Sequence, residues 1–406
     1  MQMALNLAAN SALRSKSFVL WAVASFFAFL GRWAQYIGIT WLAYSLHSSP
    51  TTLGYMGLAS LGPMLLLGTY AGGVADRGDE RRIIKICQGL GVAQSLVLIG
   101  LFYSGAAEMW MLVALALFEG CVGAFESPAR QLYARRVLSD KNLMHSAATT
   151  MSLSFNLARF IGPAVGGFAI AAAGEGACFA AAALCYVPSM IAVRVVRVSE
   201  RQTPARQTGA IQALGYVWRH PVLSRALLLR VGGALLLTPY ASLFPAYVEE
   251  AFQGGAKEAG LMAGFVGMGA LVSVAIQPVL AKRSTHMLSA TCGFAVLAVA
   301  LVGLGLANSM VAALLLVLLA GAAADTASIA TSVTFQTEPE PEMMGKVVGL
   351  GMSLGLGLLP VGVMALSAAA AICDVPTVLM AAGGVFLLLL VAAMPFRRLP
   401  EPLPLS

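Results

Sequence analysis

The sequence predicts an all-α integral membrane protein, with twelve transmembrane helices arranged as two pseudo-symmetric six-helix bundles. Three observations carry that expectation. Uncharged apolar runs recur along the whole chain, basic residues fall in alternate connections, and a weak internal repeat relates the two halves.

Composition comes first. Soluble domains are about 45–50% apolar and about 25% charged, whereas this 406-residue chain is 59% hydrophobic and 11% charged. Runs such as 53–74, 86–107, 287–306 and 375–394 match the roughly 20 apolar residues that an α-helix needs to cross a bilayer. A large soluble helical protein would interrupt them with regular polar faces, which are missing. Spans are expected with centres near residues 32, 63, 95, 119, 157, 184, 236, 269, 296, 323, 356 and 385. Arg14 and Lys16 precede the first span without a small-residue cleavage site, so this stretch reads as a flank and not as a removable signal.

The cations orient the spans. Arg14, Lys16, Arg77, Arg81, Arg82, Lys85, Arg130, Arg135, Arg136, Lys141, the stretch 194–225, Lys282, Arg283, Lys346, Arg397 and Arg398 share one set of connections, and the alternate set carries Lys257 alone. The positive-inside rule then places both termini in the cytoplasm, and an even number of spans agrees. Topology accounts for the net charge of +7, so no nucleic-acid partner is expected. The longest basic connection divides the chain into an N-terminal bundle (1–194), a cytoplasmic linker (195–222), a C-terminal bundle (223–396) and a cytoplasmic tail (397–406). Within the linker, 211–218 reads either as a short amphipathic helix on the membrane surface or as a plain connection.

The halves look like a worn duplication. Gln131 in "SPARQ" and Gln336 in "TFQTE" correspond at a shift of 205 residues, and Glu119 and Asp325 correspond at 206. These carboxylates belong to a set of ionisable residues inside predicted spans: Arg32, Glu119, Arg159, Arg230 and Asp325. A charge at mid-bilayer costs about 2.5–3.5 kcal/mol on insertion scales, which makes each a functional candidate. Two carboxylates at similar depth on opposite walls can carry a coupling proton. Static pairing is the alternative: Glu119 with Arg32 or Arg159, and Asp325 with Arg230. Trp33, Gln35, Tyr36, Tyr240, Thr326 and Ser328 add aromatic faces and hydrogen-bonding groups for a small-molecule ligand. Arg32 and Arg230 would suit an anionic, catecholate or hydroxamate substrate.

Two motifs point to a family. "GGVADRGDERR", Gly72–Arg82, packs six charges into eleven residues between spans two and three. Gly72, Asp76, Arg77, Arg81 and Arg82 fit the loop signature of the major facilitator superfamily, which the chain resembles. Gly78 stands one residue early, and Asp79 and Glu80 intrude. The resemblance implies that Asp76 latches the halves by facing the start of span eleven, and that Arg77 or Arg81 pairs with Glu126. It also implies a cavity lined by spans one, four, seven and ten, where Arg32, Glu119, Arg230 and Asp325 lie. "NLARFIGPAVGG" follows with Gly162, Pro163, Gly166 and Gly167 just after Arg159, and is similar to the motif that marks the exporting, antiporter branch. "SPARQ" and "FQTEPEPEMMGKVVGL" resemble the subgroup containing the enterobactin exporter and macrolide efflux pumps.

What the resemblance implies is a proton-coupled secondary active exporter of a small amphipathic molecule, working by alternating access in the bacterial cytoplasmic (inner) membrane. A siderophore is the first substrate class; a multidrug or macrolide pump, a lysophospholipid transporter and a non-transporting sensor or scaffold stay open. The protein is expected to act as a monomer in the lipid bilayer, with or without hand-over to a periplasmic or outer-membrane system, and to need the proton gradient but no cofactor. No nucleotide loop, nucleophile–base pair or metal spacing of His and Cys marks an enzyme. The six cysteines read as packing residues.

Overall fold

The structure is a computed structural model that describes residues 15–137, 144–196 and 210–393, and among these the chain is helical with no strand. α1, Lys16–His47, starts at Ser15, whose Oγ accepts from the Phe18 amide at 3.3 Å, and ends at Ser48. α2 (Pro50–Arg77) begins with proline in its first turn, where no amide partner is needed. α3 (Glu80–Ser104) is capped by Asp79 and closes on Gly105 at φ 66°. α4 is Met109–Val137. The next run, Met144–Val195, leaves helical geometry at Ala173 and Gly174, the latter at φ 79°. That break turns one run into α5 (144–172) and α6 (175–195).

A short linker helix, Ala210–Arg219, separates the halves. α7 is composite: Pro221–Gly232, a π turn at Gly233–Leu237, a 3₁₀ turn at Thr238–Leu243, then Phe244–Phe252. Pro239 removes an amide donor there and the helix re-registers around it. α8 (Ala256–Arg283), α9 (His286–Gly305) and α10 (Met310–Thr337) follow. α11 runs through Pro341–Gly357 and Leu359–Ala370, and α12 is Val375–Ala393. Eleven runs are long and apolar enough to cross a membrane, and the longest, Ser154–Val195, is divided by its break. The twelve expected spans are therefore all present.

Large apolar side chains cover the outside, with Leu184 70% and Leu388 71% exposed. Water would penalise such a surface, whereas lipid is its natural solvent. Inside the first half, Trp21 and Tyr133 meet with tilted rings at 4.5 Å between centroids, in a cluster with Phe18, Ile84 and Val193. In the second, Tyr247, Phe294, Leu301 and Leu379 form the core. The linker helix is not laid free on a surface. Val217 is buried with Leu223, Leu227, Phe335 and Val347, and the Tyr216 hydroxyl accepts from the Glu340 amide at 3.3 Å.

The halves touch through glycines. Early in α2, Gly54 and Gly57 lie against Ser367 and Val363, late in α11. On α5 and α8, Gly167 meets Gly260, Phe160 meets Gly264, and the backbone at Arg159–Phe160 meets Gly267. Glycine is needed because these backbones approach too closely for a Cβ. All these contacts lie away from the arginine-rich ends of the helices. At that other end, nothing described lies within 4 Å of a Cβ built at Gly68, Gly72, Gly73 or Gly345. In this conformation α2 and α11 part there, and the junction opens at the arginine-rich end.

Candidate functional site

Three charged assemblies occupy the spans. The first lies within the N-terminal half. Glu119 and Glu126 stand seven residues apart on α4, about two turns, and so share a face. Arg32 of α1 reaches both: Nε is 3.7 Å from Glu119 Oε1 and Nη1 is 3.7 Å from Glu126 Oε2. Its guanidinium occupies the space that a side chain at Gly123 would fill. Glu126 also pairs with Arg130 at 2.5 Å. Arg130 donates to Ser25 at 3.0 Å and lies 5.2 Å from the Trp21 and Phe29 ring centroids. Glu119 is buried, and its Oε2 has no hydrogen-bond partner among the described residues.

This corrects two expectations. Arg130 is not a loop cation: its side chain is 3% exposed inside the bundle. Arg81 does not pair with Glu126 either. It donates to the carbonyls of Val193 (2.9 Å), Arg194 (3.3 Å) and Val196 (2.6 Å), at the end of α6. Those carbonyls lack intrahelical donors and carry the negative end of the helix dipole. The intruding acids also have partners: Asp79 accepts from the Arg81 amide at 2.9 Å, and Glu80 pairs with Arg136 at 2.5 Å. The charged loop thus ties α3, α4 and α6 together within one half. Arg77 closes α2 and Arg82 is exposed, while the Asp76 side chain lies outside the described residues.

The second assembly spans the halves. Arg159 Nη1 of α5 lies 3.8 Å from Asp325 Oδ1 of α10, with side chains 33% and 24% exposed. The pair therefore faces open space between the bundles. Trp33 lies 5.9 Å below the Arg159 guanidinium and 6.0 Å from Tyr36. Tyr240, buried, has a hydroxyl without a partner among the described residues. Thr326 bonds Ser273 of α8 at 2.9 Å. Asp325 is thus paired with Arg159, not with Arg230.

Arg230 forms the third. Its Nη1 donates to the Ser328 carbonyl (3.0 Å) and to the Thr331 and Ser332 hydroxyls (2.9 Å each), all on α10. Gln35 leaves the candidate cavity: it is fully buried, and its Oε1 accepts from Ser95 of α3 at 2.6 Å. A groove of about 860 Å³ beside Leu46, Tyr55, Trp110 and Leu117 lies apart from all these charges.

The glycine–proline motif serves two faces of α5. A Cβ at Gly162 or Gly166 would come within 2.6 Å of Trp33 or Ile37 on α1. A Cβ at Gly167 would come within 2.5 Å of the Ala256 carbonyl oxygen on α8. The motif thus holds Arg159 between α1 and the opposite bundle. Gly123, Gly355, Thr331 and Ser332 were missed by sequence reasoning, although Gly123 stands between two carboxylates on one helical face.

Twelve spans in two bundles, open at one end and charged at their junction, define a membrane transporter with the major facilitator fold. Solved structures agree on the fold. A POT family transporter in complex with 5-aminolevulinic acid gives a TM-score of 0.75 at 10% identity, covering 94% of this chain and 96% of that one. The nucleoside transporter NupG gives 0.71 at 13%, covering 94% and 98%. The family model described as transmembrane secretion effector matches residues 7–403, and the chain belongs to that family of the major facilitator superfamily. Among curated relatives, the staphyloferrin A transporter of Staphylococcus aureus is 25% identical over 358 residues, 85% of this chain and 87% of that one. The multidrug efflux pump Tap of Mycolicibacterium fortuitum is 26% identical over 353 residues, 81% and 83% respectively. The protein is a multi-pass transporter of small molecules, not an enzyme.

Proposed function

We propose that the protein is a proton-coupled exporter of a siderophore-like amphipathic molecule, working by alternating access in the bacterial cytoplasmic membrane with both termini inside. The observation that carries this reading is the Arg159–Asp325 pair, a titratable contact between the two halves and exposed to the space between them. While Asp325 is ionised, the pair holds α5 to α10 and the carboxylate can accept hydrogen bonds from a substrate. A proton on Asp325 removes both contacts. Proton and substrate then compete for one site, which is the requirement for exchange. Glu119, buried beside Arg32 with an oxygen unpartnered, is the second proton candidate. The proton gradient supplies the energy, and no cofactor enters.

The similarity to the staphyloferrin A transporter supports siderophore export. The similarity to Tap, with the aromatic wall of Trp33, Tyr36 and Tyr240, supports multidrug efflux as the second reading. The concentration of cations at the open end supports reading that opening as facing the cytoplasm. Proteoliposomes loaded with a pH-sensitive dye test the proposal. Siderophores and macrolides are added in turn to wild type, Asp325→Asn and Glu119→Gln. One class should trigger proton movement that a carboxylate variant abolishes. Labelled substrate crossing with no proton movement would overturn the coupling.

A further inference from the structure

Charges inside a membrane-spanning bundle are expected to be paired. Arg32, Glu119, Glu126 and Arg130 pair in charge with one another, and so do Arg159 and Asp325. Arg230, ten residues into α7, has no acid within 4 Å among the described residues. We infer that Arg230 anchors an acidic group of the substrate, so that the transported molecule brings a carboxylate or a comparable anion to the C-terminal half. The inference rests on the export reading and names the substrate class for that site.

The geometry favours a ligand over a tether. All three described hydrogen bonds of the guanidinium leave from Nη1. Nε and Nη2 have no partner among the described residues, and together they form the side-on edge that grips a carboxylate with two parallel bonds. Gly355 of α11 stands beside that edge, so close that a Cβ there would collide with Nε. The residue is half-buried and not sealed. The Ser328, Thr331 and Ser332 groups fix the plane of the fork, which lowers the ordering cost of binding. A tether from α7 to α10 would need only one nitrogen, and lysine would supply it.

Position agrees. Ser332 lies seven residues beyond Asp325 on α10, about 10 Å along the axis, toward the end where the bundles part. A molecule entering there meets Arg230 before it reaches Asp325. An acid on Arg230 and hydrogen-bond donors on the ionised Asp325 would span the two. Protonation of Asp325 removes the second contact and leaves the first. Arg230 therefore provides affinity for the anion, and Asp325 provides the coupling.

Citrate, compared with its uncharged trimethyl ester at equal ionic strength, is the probe. Binding to the purified full-length protein is read from tryptophan fluorescence and from thermal stabilisation. Wild type should bind citrate saturably and ignore the ester. Arg230→Gln should weaken citrate binding at least roughly tenfold, with unchanged melting in the absence of ligand. Arg230→Lys, which keeps the tether but not the fork, should still lose most of the affinity. Gly355→Ala should weaken binding by covering Nε. Wild-type affinity in Arg230→Gln, equal binding of the ester, or no saturable citrate binding by wild type would each overturn the inference. Proton flux in proteoliposomes, measured separately with the siderophore and macrolide panel, decides the export reading independently.

Discussion

Arg159 on α5 and Asp325 on α10 meet at 3.8 Å across the junction of the two bundles, whereas the pairs of Arg32, Arg130 and Arg136 stay within the first half. Arg159 cannot drift far from this position. The residue is followed by Phe160, whose backbone lies against Gly267, and its guanidinium rests on Trp33. The carboxylate partner is therefore presented with a fixed cation, and under the proposed coupling its protonation would change the energy of one conformation more than that of another.

Asp325→Asn should consequently uncouple the protein. Substrate-triggered proton flux in proteoliposomes should fall to the level of protein-free vesicles. Spin-label distances between the arginine-rich ends of α2 and α11 should broaden, because the cross-bundle contact is gone. The double exchange Arg159→Asp with Asp325→Arg should restore the distance distribution. Failure of that exchange to restore it would remove the ion pair as the holding contact.

The Glu80–Arg136 pair makes a prediction about stability. Glu80 is 3% exposed at the side chain and Arg136 is 24% exposed. Removing one member of a buried pair leaves an uncompensated charge, at a cost of roughly 3–5 kcal/mol. Arg136→Met should approach the lower end, since Arg136 keeps some access to solvent. Glu80→Gln with Arg136→Met should recover much of the loss. Unfolding of the detergent-solubilised protein checks both, and a single variant as stable as wild type would show the brace to be ornamental.

The spans were legible because length and apolarity are local properties, and lipid imposes them on every helix separately. The mid-span charges were legible for the same reason. Which helix each charge faces was not. For Asp325 the sequence offers a coupling role or a static pair with Arg230, but position along a span does not fix azimuth, and the partner is Arg159 on a helix of the other half. Gln35 was placed in the cavity by its neighbours in sequence, yet it points to Ser95. Arg130 was read as a loop cation, although its position four residues after Glu126 allowed an intrahelical pair to be foreseen. The loop motif identified its loop, but its arginine acts on α6 carbonyls that no sequence pattern marks.

A pH effect is expected outside the membrane. Asp374, just before α12, accepts from the Thr377 amide and hydroxyl at 2.9 Å each. Those two bonds hold its carboxyl below the usual aspartate range. A depressed carboxylate stabilises the fold above its unfolded value of about 3.9 and loses that contribution as pH falls through its folded value. Asp374→Ala should therefore melt earlier than wild type at neutral pH, with the gap closing in acid below about pH 4. A gap that persists unchanged in acid would show that the carboxylate is not responsible.

The seam between α5 and α8 supplies the last prediction. A Cβ at Gly260 would stand 2.5 Å from the Pro163 carbonyl oxygen, and one at Gly267 would stand 2.5 Å from Phe160 Cα. Neither partner is the flexible end of a side chain, so the helices must separate to admit a methyl group. Overpacking of this kind costs typically about 1–3 kcal/mol, and here it falls on the conformation whose halves touch at that end. Gly260→Ala and Gly267→Ala should thus shift the population toward the form open at the opposite end, without unfolding either bundle. Cysteines engineered at exposed positions beside the closed-end contact, Tyr55 on α2 and Ala368 on α11, should be bridged less by a short bis-maleimide in these variants than in the same cysteine background with both glycines intact. Gly162→Ala should behave differently, because its neighbour Trp33 lies in the same half. It should lower the melting temperature and leave the cross-link yield of the surviving protein unchanged. Equal cross-linking in Gly267→Ala and Gly162→Ala would mean that the seam does not set the equilibrium between the two forms.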